Sequence, residues 1–89
     1  MKQPVITSRF KRDYKLAQRR NKDVTKIQQI MRDLAQETPL PAANRDHALT
    51  GNYAGLRECH VEPDWLLVYE LTEEEIIFMR TGNHADLFD

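Results

Sequence analysis

The chain has 89 residues, enough for one domain spanning 1–89, with 40% hydrophobic and 30% charged residues. That is the make-up of an ordinary globular protein; no apolar run reaches the ~18 residues a membrane span requires, and the first seven residues are too short and too soon polar for a secretory signal. The net charge of −1 conceals a division: residues 1–32 carry ten Lys or Arg and two acids, residues 33–89 three basic groups and twelve acids, and a basic half of this kind is the electrostatic footprint of nucleic-acid binding.

Gln3-Pro4-Val5-Ile6-Thr7 reads as a short first strand, limited by Pro4 to a strand start or an edge. Ser8 is a candidate cap for a first helix. In that helix Phe10, Tyr14 and Ala17 form one apolar stripe, and Arg9, Lys11, Arg12, Lys15, Arg19 and Arg20 fill the rest. Asp23 is a candidate cap for a second helix. There Val24, Ile27, Ile30, Met31 and Leu34 recur at spacings of three and four. Pro39 and Pro41 end it and open a loop over 39–54, where His47 falls.

The period then changes. Residues 55–61 read as a strand and Glu62-Pro63-Asp64 as a turn. Trp65 to Leu71 is a β-prone run, residues 72–75 a second turn, and Ile76 to Thr81 a last strand before a short tail from His84 to Phe88. Short turns between consecutive strands imply an antiparallel meander. The expected fold is α+β, in the order β-α-α-β-β-β. Two helices cover one face of an antiparallel sheet, and the other face is left for a site.

All three histidines lie at informative places: His47 in the loop, His60 at the end of the second strand, His84 just past the last. In a meander the end of the second strand adjoins the start of the third, and the end of the fourth lies beside it. His60, Asp64, Arg80 and His84 therefore converge at one end of the sheet. This set supplies what phosphodiester cleavage needs: a base for the 2′-hydroxyl, an acid for the leaving 5′-oxygen, and a cation for the phosphorane charge. Each residue also has a plainer reading. Asp64 follows a proline in a turn, Arg80 suits an exposed strand position, and Trp65 and Phe88 suit a core as well as a base-stacking surface. Cys59 has no partner for a disulfide, which fits a reducing cytoplasm, and it reads as a small buried hydrophobe. The histidine intervals contain no short two-ligand pair, so no metal site is expected.

Three blocks carry a family resemblance. Asp46-His47-Ala48-Leu49-Thr50-Gly51 resembles a D-H-x-L-x-G loop. Gly55 to Tyr69 resembles a G-x-R-x-x-H-V-x-P-D-W-L-L-x-Y block, and Arg80 to Phe88 an R-T-G-x-H-x-x-L-F ending. Together, in this order, they resemble the YafQ-type toxins of the RelE/ParE superfamily. Ala48 and Tyr53 depart from that pattern, where proline and tryptophan are common.

The resemblance implies a RelE-like fold and a type II toxin that cuts mRNA in the ribosomal A site without metal or other cofactor. It also implies a ribbon-helix-helix, DinJ-like antitoxin as partner. By the same resemblance His47, His60, Asp64, Arg80 and His84 are the catalytic set. His84 and Asp64 serve proton transfer, Arg80 the phosphate, and His47 and His60 either task. Trp65 and Phe88 are expected to touch substrate, and Lys11, Lys15 and Arg19 to meet RNA. Three alternatives remain at this level: a non-catalytic toxin of the same fold, like the gyrase inhibitors of the ParE type, a plain RNA- or protein-binding module without activity, and an RNase that acts without the ribosome.

Overall fold

The computed structural model describes residues 1–88. Strand β1 (Gln3–Ile6) leads into helices α1 (Ser8–Arg19) and α2 (Val24–Ala35). Strands β2 (His47–Ala48), β3 (Arg57–Glu62), β4 (Trp65–Leu71) and β5 (Glu75–Gly82) follow, then a short helix α3 (His84–Phe88). The α+β class matches the expectation. The sheet order is β1-β5-β4-β3-β2.

Three features go beyond the sequence pattern. β1 runs parallel to β5, with Gln3 beside Glu75, so the sheet is mixed and not wholly antiparallel. Hairpin turns dictate antiparallel neighbours, but two strands joined through helices are free to lie parallel. The loop over 39–54 contains β2, which sets His47 opposite Glu58. The tail from His84 is helical.

Asp23 caps α2 as expected, accepting from the Thr25 N–H at 3.1 Å. The cap of α1 is Thr7 and not Ser8: its hydroxyl oxygen accepts from the Phe10 N–H at 3.0 Å. The same hydroxyl donates to the Met79 carbonyl at 2.9 Å. Thr7 thereby fixes the start of α1 to β5.

The helices bury their predicted stripes on one sheet face. Phe10 and Ala17 of α1 and Ile27, Ile30 and Leu34 of α2 pack with Cys59, Trp65, Leu67, Tyr69, Ile76 and Phe78. Period-two alternation sends the neighbouring residues to the other face. Burial pushes the Cys59 thiol up to about 12, which leaves it inert as a nucleophile. No described helix is long and apolar enough to cross a membrane.

Candidate active site

The face away from the helices is organised by register. His47 pairs with Glu58, Glu58 with Val68, and Val68 with Arg80, forming one row across four strands. His60 pairs with Leu66 and Leu66 with Gly82, forming the next row. A shift in register between Val68 and Tyr69 lets both Phe78 and Thr81 point to the helix side, leaving Arg80 on the open face.

The three imidazoles form a chain. Ring centroids are 6.3 Å apart for His47 and His60, and 6.1 Å for His60 and His84. Phe88 continues the line 6.3 Å from His84, and Tyr53 meets Phe88 edge-on at 5.2 Å. His60, Asp64 and His84 thus converge as the meander implied, and β2 adds His47.

The hydrogen bonds assign the ring protons. A carbonyl oxygen only accepts, so His47 Nδ1–H donates to Arg45 O at 2.6 Å and His60 Nδ1–H to Pro63 O at 3.2 Å. Both Nε2 atoms are then turned toward one buried carboxylate. Glu58 Oε2 is 3.6 Å from His47 Nε2, and Oε1 is 4.0 Å from His60 Nε2. Glu58 is only 5% exposed. A buried carboxylate needs polar partners, and here it faces the Nε2 atoms of two imidazoles.

His84 is arranged differently. Its Nδ1–H donates to Asp64 Oδ1 at 2.8 Å, and its backbone N–H to the same oxygen at 3.1 Å. These bonds hold the Asp64 carboxyl below the usual carboxylate range. They also leave His84 Nε2 with a free lone pair at the surface.

The elements that carry these groups are anchored. Tyr69 Oη–H donates to Asp46, and Arg57 Nε–H donates to Tyr69 Oη at 3.3 Å, so the residue before His47 is tied to β3 and β4. At α3, Asn83 Oδ1 accepts from the Asp86 N–H at 2.7 Å, and Asp86 Oδ2 accepts from the Asn83 N–H at 3.0 Å, a reciprocal cap. Arg20 Nη1 donates to Asp86 at 2.7 Å and clasps α3 to α1. A Cβ at Gly82 would sit 2.9 Å from Asp86 Cβ, so glycine is what allows α3 to pack there.

Two expected residues are placed otherwise. Trp65 lies in the core and not on a stacking surface: it is 2% exposed, and its indole N–H donates to Thr81 Oγ1 at 2.9 Å. Arg80 is on the open face, but its guanidinium is bound at the sheet edge by Asp13, at 2.7 Å to Nε and 3.2 Å to Nη2. Lys11, Lys15 and Arg19 lie exposed along α1. Among the described residues no hydrogen bond or ion pair joins them to the histidines. Glu58 and Tyr53 are not among the expected site residues. Glu58 was detectable: Glu-x-His in a strand puts both side chains on one face. Tyr53 gave no signal, since its partner Phe88 is 35 positions away.

The model of the YafQ family, bacterial toxins of type II toxin–antitoxin systems, matches residues 2–89. The chain belongs to the YafQ toxin family. The mRNA interferase toxin YafQ of Escherichia coli K12 is 48% identical over 83 residues, 92% of this chain and 90% of that protein. YafQ in the Escherichia coli DinJ–YafQ toxin–antitoxin complex is 45% identical and superposes with a TM-score of 0.93, covering 99% of this chain and 98% of its own. A metal-bound toxin from Helicobacter pylori is 33% identical with a TM-score of 0.92, covering 99% and 100%. The YafQ resemblance in the sequence is thereby confirmed, as are the RelE-like fold and the endoribonuclease class. Among the described residues no three His, Cys, Asp or Glu side chains come together as a set able to hold a metal ion.

Proposed function

We propose that this chain is a cytoplasmic, ribosome-dependent mRNA interferase that cleaves by general acid–base catalysis, with the 2′-hydroxyl of its substrate as the nucleophile. The observation that supports it is the unequal wiring of the imidazoles. His84 is held by Asp64 through Nδ1 and offers a bare Nε2, whereas His47 and His60 aim Nε2 at the Glu58 carboxylate. The first arrangement suits a base and the second an acid.

In this mechanism His84 Nε2 takes the 2′-hydroxyl proton as the O2′–P bond forms. An imidazolium, His47 or His60, gives its Nε2 proton to O5′ as the P–O5′ bond breaks. The products are a 2′,3′-cyclic phosphate and a free 5′-hydroxyl. Arg80 meets the charge on the phosphorane oxygens. Phe88, backed edge-on by Tyr53, is the aromatic surface for a base, a role the buried Trp65 does not fill. The exposed cations Lys11, Lys15 and Arg19 contact ribosomal RNA through its phosphates. The nucleophile resides in the substrate, so none of these steps requires a metal.

The partner is an antitoxin, as DinJ is in the Escherichia coli DinJ–YafQ complex, and by the sequence resemblance it is of the ribbon-helix-helix type. The experiment is cleavage of a defined mRNA with and without programmed ribosomes. Cuts within codons that need ribosomes and persist in EDTA, at magnesium levels that keep ribosomes intact, are expected. Cutting of free RNA would remove the ribosome from the reading. Activity lost in EDTA and restored by zinc alone would replace the acid–base mechanism with a metal one. Folded protein with no cuts in either condition would favour the non-catalytic toxin.

A further inference from the structure

Asp13 is the one acid in α1, amid Arg9, Lys11, Arg12, Lys15, Arg19 and Arg20. Its carboxylate is turned inward, with the side chain only 11% exposed. β1 stops pairing at Ile6, opposite Phe78, so the next stretch of β5 pairs with β4 on one side and has no strand on the other. Asp13 occupies that place: Oδ2 accepts from the Thr81 backbone N–H at 3.2 Å and from Arg80 Nε–H at 2.7 Å, and Oδ1 accepts from Arg80 Nη2 at 3.2 Å. A guanidinium has two edges that can each make a two-point bond. Asp13 takes the Nε–Nη2 edge. Nη1 has no hydrogen-bond partner among the described residues, so the Nη1–Nη2 edge remains for a second planar anion.

We propose that Asp13 is a positioning residue of the cleavage reaction, holding Arg80 by one guanidinium edge so that the other is offered to the scissile phosphate. This rests on Arg80 being the phosphate cation. An arginine side chain has many rotamers, and freezing them before substrate arrives confers the kind of preorganisation that charge stabilisation depends on. A group misplaced by about 1 Å costs on the order of 10²-fold in rate. The carboxylate also satisfies Thr81 N–H, so its structural role and its positioning role must be separated.

The test compares Asp13→Asn, Arg80→Ala and the double variant in the ribosome-programmed cleavage assay, with thermal unfolding of each. Asn keeps an oxygen for Thr81 N–H but loses the charge and one of the two acceptors for Arg80. Asp13→Asn is expected to fold, to lose about 10- to 100-fold in kcat with little change in KM, and to add nothing in the Arg80→Ala background. Wild-type kcat in folded Asp13→Asn would overturn the proposal while leaving Arg80 as phosphate cation. Losses that multiply in the double variant would also overturn it, because Asp13 would then act through another group. Full activity of Arg80→Ala would instead remove the reading on which it rests. A further measurement needs no variant: in the wild-type protein the Arg80 Nε–H resonance is expected to exchange slowly with solvent, and exchange as fast as that of exposed arginines would overturn the proposal.

Discussion

His84 Nδ1 lies 2.8 Å from the Asp64 carboxylate, joining α3 to the turn between β3 and β4. The bond fixes the ring by one nitrogen and leaves the other bare. His84→Ala is expected to fold, since the side chain is exposed, and to lose on the order of 10²–10⁴-fold in cleavage rate. Asp64→Ala should fall between wild type and that variant, because the base remains but its orientation is lost. Single-turnover cleavage on programmed ribosomes measures both. A folded His84→Ala protein with wild-type rate would dismiss His84 as the base.

Glu58 faces two imidazoles from a buried position. Glu58→Gln keeps the shape and removes the negative charge, so neither ring retains a counter-ion for its proton. Cleavage at neutral pH is expected to drop by about 10²-fold, the lower end for one proton-transfer group. The pH–rate profile should lose or shift the limb set by the acid. An unchanged profile with unchanged rate would reduce Glu58 to a structural residue.

Trp65 donates its indole N–H to Thr81 Oγ1, and Thr81 Oγ1–H donates to the Leu66 carbonyl at 2.7 Å. Trp65→Phe leaves a buried acceptor unpaired, at a cost of about 1–3 kcal/mol. Urea denaturation should show this loss, with kcat of the folded variant close to wild type. A large fall in kcat without loss of stability would return Trp65 to the substrate surface.

The acid limb of stability has an identifiable contributor. The hydrogen bond from the Arg20 guanidinium holds the Asp86 carboxyl below its ordinary range; burial opposes it, and the Asn83 N–H and the charge of Arg20 add to the lowering. A carboxyl lowered in the folded state stabilises above its unfolded value of about 3.9 and loses that contribution as pH falls through the folded value. The gap in melting temperature between wild type and Asp86→Asn should therefore be widest above pH ~5 and close as pH falls below 4. A gap independent of pH would mean that Asn loses packing and not charge. Because the clasp also holds α3, Asp86→Asn should slow cleavage in step with the loss of order at His84.

Much of the site was legible before any coordinates. Helix stripes follow from period 3.6 and strand faces from period two, and both are local properties of the chain. The meander put His60, Asp64 and His84 at one sheet end because short turns leave consecutive strands no other neighbour. What local pattern does not encode is pairing between distant segments. The parallel β1–β5 contact, the Tyr53–Phe88 pair and the Asp13–Arg80 fork join residues 72, 35 and 67 positions apart. Trp65 shows the same limit, since an aromatic beside a candidate catalytic aspartate reads equally as core or as surface until the helices are packed. The sequence by itself determined the class of fold, the two buried stripes and the residue types able to cleave a phosphodiester. Tertiary structure alone decided which imidazole keeps a free lone pair and which two face a buried carboxylate, because ring protonation is set by hydrogen-bond partners brought in from other strands and turns.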